Sequence, residues 1–184
     1  DLKNNRKNTW GTGLIFDHEI DSIQNVTVAA GFTREISENA NKTAYYSNAY
    51  ALGLAYNFVH TTYGLDLAHK DTKNKDGAGN KVKNNEVTAV IRQGLNEDWN
   101  VYAMYSYKTE KTLPVGSAYS KSTDRQFLVG TEYYVFKQGS VKVKPFIEWQ
   151  ATRTKYENTF DKDSGKQLDR SRDFKTVIGL RAYW

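Results

Sequence analysis

Along most of the chain, apolar and polar residues alternate one for one. In DFKTVIGLRAYW, residues 173–184, the set Phe174, Thr176, Ile178, Leu180, Ala182 and Trp184 is apolar in five of six places. The set between them, Asp173, Lys175, Val177, Gly179, Arg181 and Tyr183, carries three charges. Successive side chains of a strand point to opposite faces, so this spacing predicts a strand with one apolar and one wetted face. The same split recurs upstream. Trp99, Val101, Ala103, Tyr105 and Tyr107 oppose Asn100, Tyr102, Met104, Ser106 and Lys108, and Tyr50, Leu52, Leu54, Tyr56 and Phe58 oppose Ala51, Gly53, Ala55 and Asn57.

Nine strands are predicted, at 9–20, 24–36, 45–58, 61–72, 84–95, 98–110, 122–136, 140–156 and 170–184. Asn, Gly, Asp, Ser and Lys bound them, as turn chemistry requires. The connections alternate in length: DSIQ, VH, NED and KQGS are short, whereas SENANKTA, KNKDGAGNKVK, KTLPVGSAYSK and NTFDKDSGKQL are long and polar. Short turns at one rim and long polar loops at the other are how an outer-membrane β-barrel is built. The fold class expected is therefore all-β, an antiparallel transmembrane β-barrel forming a single domain over residues 1–184.

Composition agrees with that expectation. Of the 184 residues only 39% are hydrophobic, yet there are thirteen Tyr, eight Phe and four Trp, and mean hydropathy is −0.73. No apolar run approaches the roughly 20 residues of a membrane helix, but a barrel needs only alternate residues to face lipid. Trp10, Tyr46, Trp99, Tyr105, Tyr107, Tyr133, Trp149 and Trp184 fall toward the ends of these predicted strands, where amphipathic rings suit a headgroup boundary. A soluble barrel or sandwich with the apolar faces turned inward is the competing reading; it would call for more Leu and Ile. Zero cysteines exclude disulfides and thiol catalysis. The net charge of +5 is scattered, which argues against nucleic acid as a partner. His18, His60 and His69 show neither metal-ligand spacing nor a nucleophile motif, so no catalytic residue, metal or cofactor is expected.

The segment VIGLRAYW resembles the closing strand of Gram-negative outer-membrane general diffusion porins, and ALGLAYNF and FLVGTEYYVF resemble their internal strands. By that resemblance Trp184 is the assembly signal read by the outer-membrane assembly machinery and also an interface anchor. The resemblance further implies a homotrimer in the bacterial outer membrane, in contact with its lipid and lipopolysaccharide, through which small hydrophilic solutes and ions diffuse passively. It does not imply an enzyme. With Trp184 at the periplasmic rim, strand nine runs downward and so does strand one, which matches strands eight to sixteen of a sixteen-stranded barrel. On that reading the chain is N-terminally incomplete; closure of nine strands by a parallel first-to-last pair, or a barrel of eight or ten strands, are alternatives. A small outer-membrane barrel acting as an enzyme or adhesin is the alternative function.

Parity assigns the polar set inward. The pore-lining candidates are Glu86, Arg92, Lys108, Glu132, Lys142, Glu148, Lys175 and Arg181, with Glu35, Asp66, Lys70 and Lys144 on the same face. Most are expected to be a solvated wall. Seven cations against five anions in this set predict a slight preference for anions. Gly130, Gly179 and other small inward residues suit either an open lumen or barrel curvature.

Overall fold

The computed structural model describes residues 5–38, 44–74, 79–114, 116, 118–160 and 165–184. Every regular element among them is a strand: β1 (Asn5–Asp21), β2 (Gln24–Glu38), β3 (Ala44–Phe58), β4 (Thr61–Asn74), β5 (Lys81–Gly94), β6 (Trp99–Leu113), β7 (Ser120–Tyr133), β8 (Phe136–Gln138), β9 (Val141–Glu157) and β10 (Arg170–Tyr183). All belong to one antiparallel sheet in which consecutive long strands are neighbours, β1 through β7, then β9 and β10, with β8 paired to β9. The sheet is open. β1 pairs only with β2, and β10 only with β9, so the parallel first-to-last closure is not formed.

Sequential antiparallel pairing gathers the turns at 22–23, 59–60, 95–98 and 139–140 at one end of the sheet, as the short connections predicted. The strand ends that flank the long connections lie at the other. Much of those connections lies outside the described residues, but at 158–169 the hairpin of β9 and β10 continues through a bridge between Phe160 and Gln167.

Several strands run two to four residues further toward the long connections than expected, and one boundary differs in kind. The strand expected to run through residue 136 stops at Tyr133, and the chain resumes pairing with β9 one register step later: Glu132 faces Phe146, whereas Phe136 faces Val143. Tyr134 and Val135 form a β-bulge, which inserts one residue and reverses parity. Phe136 consequently joins the apolar face, and the count of strands rises from nine to ten. After the bulge, β8 turns into β9 through Gly139, at φ 58°, and Ser140. A glycine with positive φ at the first of two loop positions is what a type II′ hairpin needs.

Register makes the apolar pattern two-dimensional. Phe16, Val28, Leu54, Leu65, Ala89, Tyr105, Phe127, Ala151 and Phe174 stand opposite one another in succession across all nine long strands. One position along each strand the set becomes Asp17, Thr27, Ala55, Gly64, Val90, Met104, Leu128, Gln150 and Lys175, on the opposite face. Among the described residues no hydrophobic side chain is buried; the buried ones are Ser106, Thr123, Glu132 and Lys144. Ile178 is 78% exposed and Leu180 64%. A single layer has no second face to pack against, so its apolar side must be covered by something outside the sheet.

The rings do not all sit where the sequence placed them. Trp99 and Tyr133 face each other at the short-turn end, and Trp184 lies just past β10 there. Tyr105 and Trp149 stand near the centres of β6 and β9, away from either rim.

Candidate functional site

The polar face divides into two regions with different chemistry. Across the N-terminal strands one row of it is bare of long side chains: Gly13, Gly31, Ala51 and Ala68 are successive partners. Toward the C-terminal strands the same face carries long charged and aromatic side chains. Register puts Arg92, Tyr102, Gly130, Glu148 and Val177 in one row, and Asn100, Glu132, Phe146 and Gly179 in the next.

Two glycines let this second region close up. A Cβ on Gly130 would lie 2.5 Å from the Tyr102 ring, and one on Gly179 2.4 Å from the Phe146 ring. At these two positions the missing side chain therefore seats an aromatic ring from the neighbouring strand and does not widen a lumen. Lying across Gly130, Tyr102 reaches past β7 and donates to Glu148 Oε1 on β9 at 2.6 Å. Lying across Gly179, Phe146 offers its face to the Arg181 guanidinium, 4.1 Å away.

Glu132 is the centre of the cluster. It accepts from Arg92 on β5 at 2.6 Å, from Lys144 on β9 at 2.8 Å and from Arg181 on β10 at 2.7 Å, and it is only 4% exposed. Arg181 forks, its second nitrogen donating to Glu148 at 2.8 Å. Charge-assisted bonds of this kind are the strong ones, and a buried carboxylate is tolerated because its lone pairs are met. Three cations on two carboxylates leave one positive charge in excess. Lys144 also lies over the Tyr134 and Tyr183 rings, at 5.0 and 5.3 Å, which lets its ammonium leave water.

Of the eight wall candidates, the fold brings Arg92, Glu132, Glu148 and Arg181 into this one cluster. Glu132 is not a solvated wall residue: the three strands that supply its cations shield it from water. Glu86 and Lys108 face each other on β5 and β6, 3.8 Å apart, above the buried Ser106 and its partner Thr88. Lys142 stands outside the cluster opposite Tyr183 and Lys137, and Lys175 pairs with Asp173 at 3.4 Å. All eight share the polar face. Trp184, 91% exposed, belongs to no strand. Alternation within one strand placed Tyr102 on this face but not over Gly130, and did not single out Phe146, because those ring–glycine contacts exist only between strands.

His69 lies on the apolar face with both ring nitrogens occupied, Nδ1 against Asn85 at 2.7 Å and Nε2 against Asp71 at 2.9 Å. Neither is left to activate a nucleophile. Among the described residues no group of three or more His, Cys, Asp and Glu could hold a metal ion. No family model, no curated protein and no solved structure matches the chain.

Proposed function

We propose that this sheet is part of the wall of an outer-membrane β-barrel, a channel of the porin kind, whose polar face lines a passage for small hydrophilic solutes and ions. The observation that carries the reading is the apolar register row from Phe16 to Phe174, exposed or half-exposed across nine strands, while Asp17, Gln150, Lys175 and the Glu132 cluster lie on the other face. From Trp99 to Tyr107 the apolar set of β6 spans roughly 27 Å of strand, or roughly 20 Å of membrane once tilted by about 40°, close to the apolar band of such barrels. The open edges of β1 and β10 fit the same picture with one condition. Unpaired N–H and C=O groups cost several kcal/mol each in hydrocarbon, so both edges must be met by further strands, whichever chain supplies them.

Two measurements test this. Reconstituted into planar bilayers, the protein should give discrete conductance steps that scale with salt. In vesicles, cysteines placed at Ile178 and Leu180 should resist an aqueous maleimide while those at Lys142 and Lys175 react. Labelling of 178 and 180 with protection of 142 and 175 inverts the faces. Silence in the bilayer together with labelling at all four positions rejects the membrane reading.

A further inference from the structure

Three arginines stand side by side on the apolar face, at the end nearest the long connections. Arg125 on β7 is opposite Arg153 on β9, which is opposite Arg172 on β10. All three are exposed, and among the described residues no ion pair ties them to a carboxylate. Strands in a sheet are roughly 4.8 Å apart, so the three guanidinium groups share a space about 10 Å wide. Like charges directly opposite destabilise a ladder. Lys155 and Arg170, one register row further along, each stand beside a carboxylate, Glu157 at 3.7 Å and Asp169 at 3.8 Å, so the uncompensated charge lies in the three arginines. Arg125 and Arg153, with Lys155, Glu157 and Arg170, line a cleft of about 260 Å³.

The row directly on the other side of the arginines is Phe127, Ala151 and Phe174. A second cleft, about 310 Å³, is lined by both sets together, guanidinium groups at one end and rings at the other. A ligand matching both must carry a compact polyanion joined to hydrocarbon. Free phosphate would satisfy only the arginines; a nucleic-acid base can stack on a ring, but a polar strand would leave the rest of the exposed apolar face, which continues across the sheet, uncovered. We propose that Arg125, Arg153 and Arg172 form a binding site for an anionic lipid with a phosphomonoester headgroup, its acyl chains lying over Phe127, Ala151 and Phe174. Planar guanidinium groups bind phosphate oxygens in pairs, and each basic residue near an anionic membrane surface adds to the attraction. The site rests on the membrane reading of the apolar face.

The test uses the full chain inserted in vesicles of phosphatidylcholine, with or without phosphatidic acid, then extracted gently and weighed with its bound lipid by native mass spectrometry. Wild type should retain phosphatidic acid over phosphatidylcholine by about tenfold or more. The triple variant R125Q/R153Q/R172Q should lose that preference, and R125K/R153K/R172K should keep part of it. K108Q/K142Q/K175Q, which removes three cations from the other face, should leave it unchanged. Circular dichroism of each variant confirms that the sheet is retained. Insertion without lipid preference, or an equal preference in the glutamine variant, overturns this inference and spares the membrane reading. Displacement of the lipid by an equal concentration of inorganic phosphate reduces the patch to an anion site and overturns the lipid assignment. Failure to insert in either vesicle overturns both.

Discussion

At the scale of single residues, Glu132 is where the polar face is most constrained. Its partners are not equally placed: Arg92 and Arg181 are 43% and 36% exposed, whereas Lys144 is 7% exposed. Removing the carboxylate charge therefore leaves the two arginines able to hydrate and strands mainly the lysine. Breaking a buried ion pair from one side costs about 3–5 kcal/mol. With one stranded charge out of three, and with Arg181 still held by Glu148, we expect Glu132→Gln to cost about 3 kcal/mol. Lys142→Gln, on the same face but outside the cluster, should change stability by less than about 0.5 kcal/mol. Urea unfolding of the refolded protein in micelles measures both. Equal midpoints for the two variants would mean that Glu132 is as well solvated in the folded protein as a rim charge.

At the scale of elements, the turns show what the backbone tolerates. The connection between β3 and β4 is Val59 and His60, and Val59 has φ 54°, in a region that a β-branched residue enters only under strain. Neighbouring turns hold it there: Val59 N–H donates to the Ile23 carbonyl at 2.9 Å, and the His60 carbonyl accepts from Gly94 at 2.8 Å. Val59→Gly keeps the N–H and removes a strain of about 1–3 kcal/mol, against about 0.5–1 kcal/mol for a looser unfolded chain. The net expectation is a gain of about 1 kcal/mol, read as a higher urea midpoint, with His60→Gly lowering it. A lower midpoint for the valine variant would mean that its side chain contributes more than its backbone costs. The position of this turn was legible from VH between two alternating runs, but its strain was not, since no signal in the string reports φ. Elsewhere alternation located the long strands and put every wall candidate on one shared face, because parity is local. It failed at Tyr134 and Val135, two residues acceptable on either face, so nothing in the sequence marked the bulge. The Glu132 cluster was out of reach for a related reason: its members come from β5, β7, β9 and β10, and only register across those strands brings them together.

For the whole molecule, ion pairing revises what the polar face would do to a passing ion. Counting charges gave a slight excess of cations, but Arg92, Lys144 and Arg181 spend theirs on Glu132 and Glu148, and Lys108 stands beside Glu86. A neutralised pair exerts little field beyond its own length, and beyond about 8 Å physiological salt screens the rest. The positive bias of the wall then lies chiefly in the unspent charge of the Glu132 cluster and in Lys142, whose cross-strand neighbour Lys137 is itself paired with Asp98 at 2.6 Å. Charge lining a passage concentrates counter-ions, so a channel lined by this face should favour anions weakly, more so at low salt. Arg181 is a poor residue on which to test this, because reversing it also breaks two ion pairs. Lys142→Glu and Lys175→Glu change the wall with less disturbance, the first outside any cluster and the second beside Asp173. Under a salt gradient, the double variant should move the reversal potential toward cations, and the shift should shrink as salt rises. A potential that stays fixed at low salt would take both lysines off the conducting path and place the passage away from this end of the polar face.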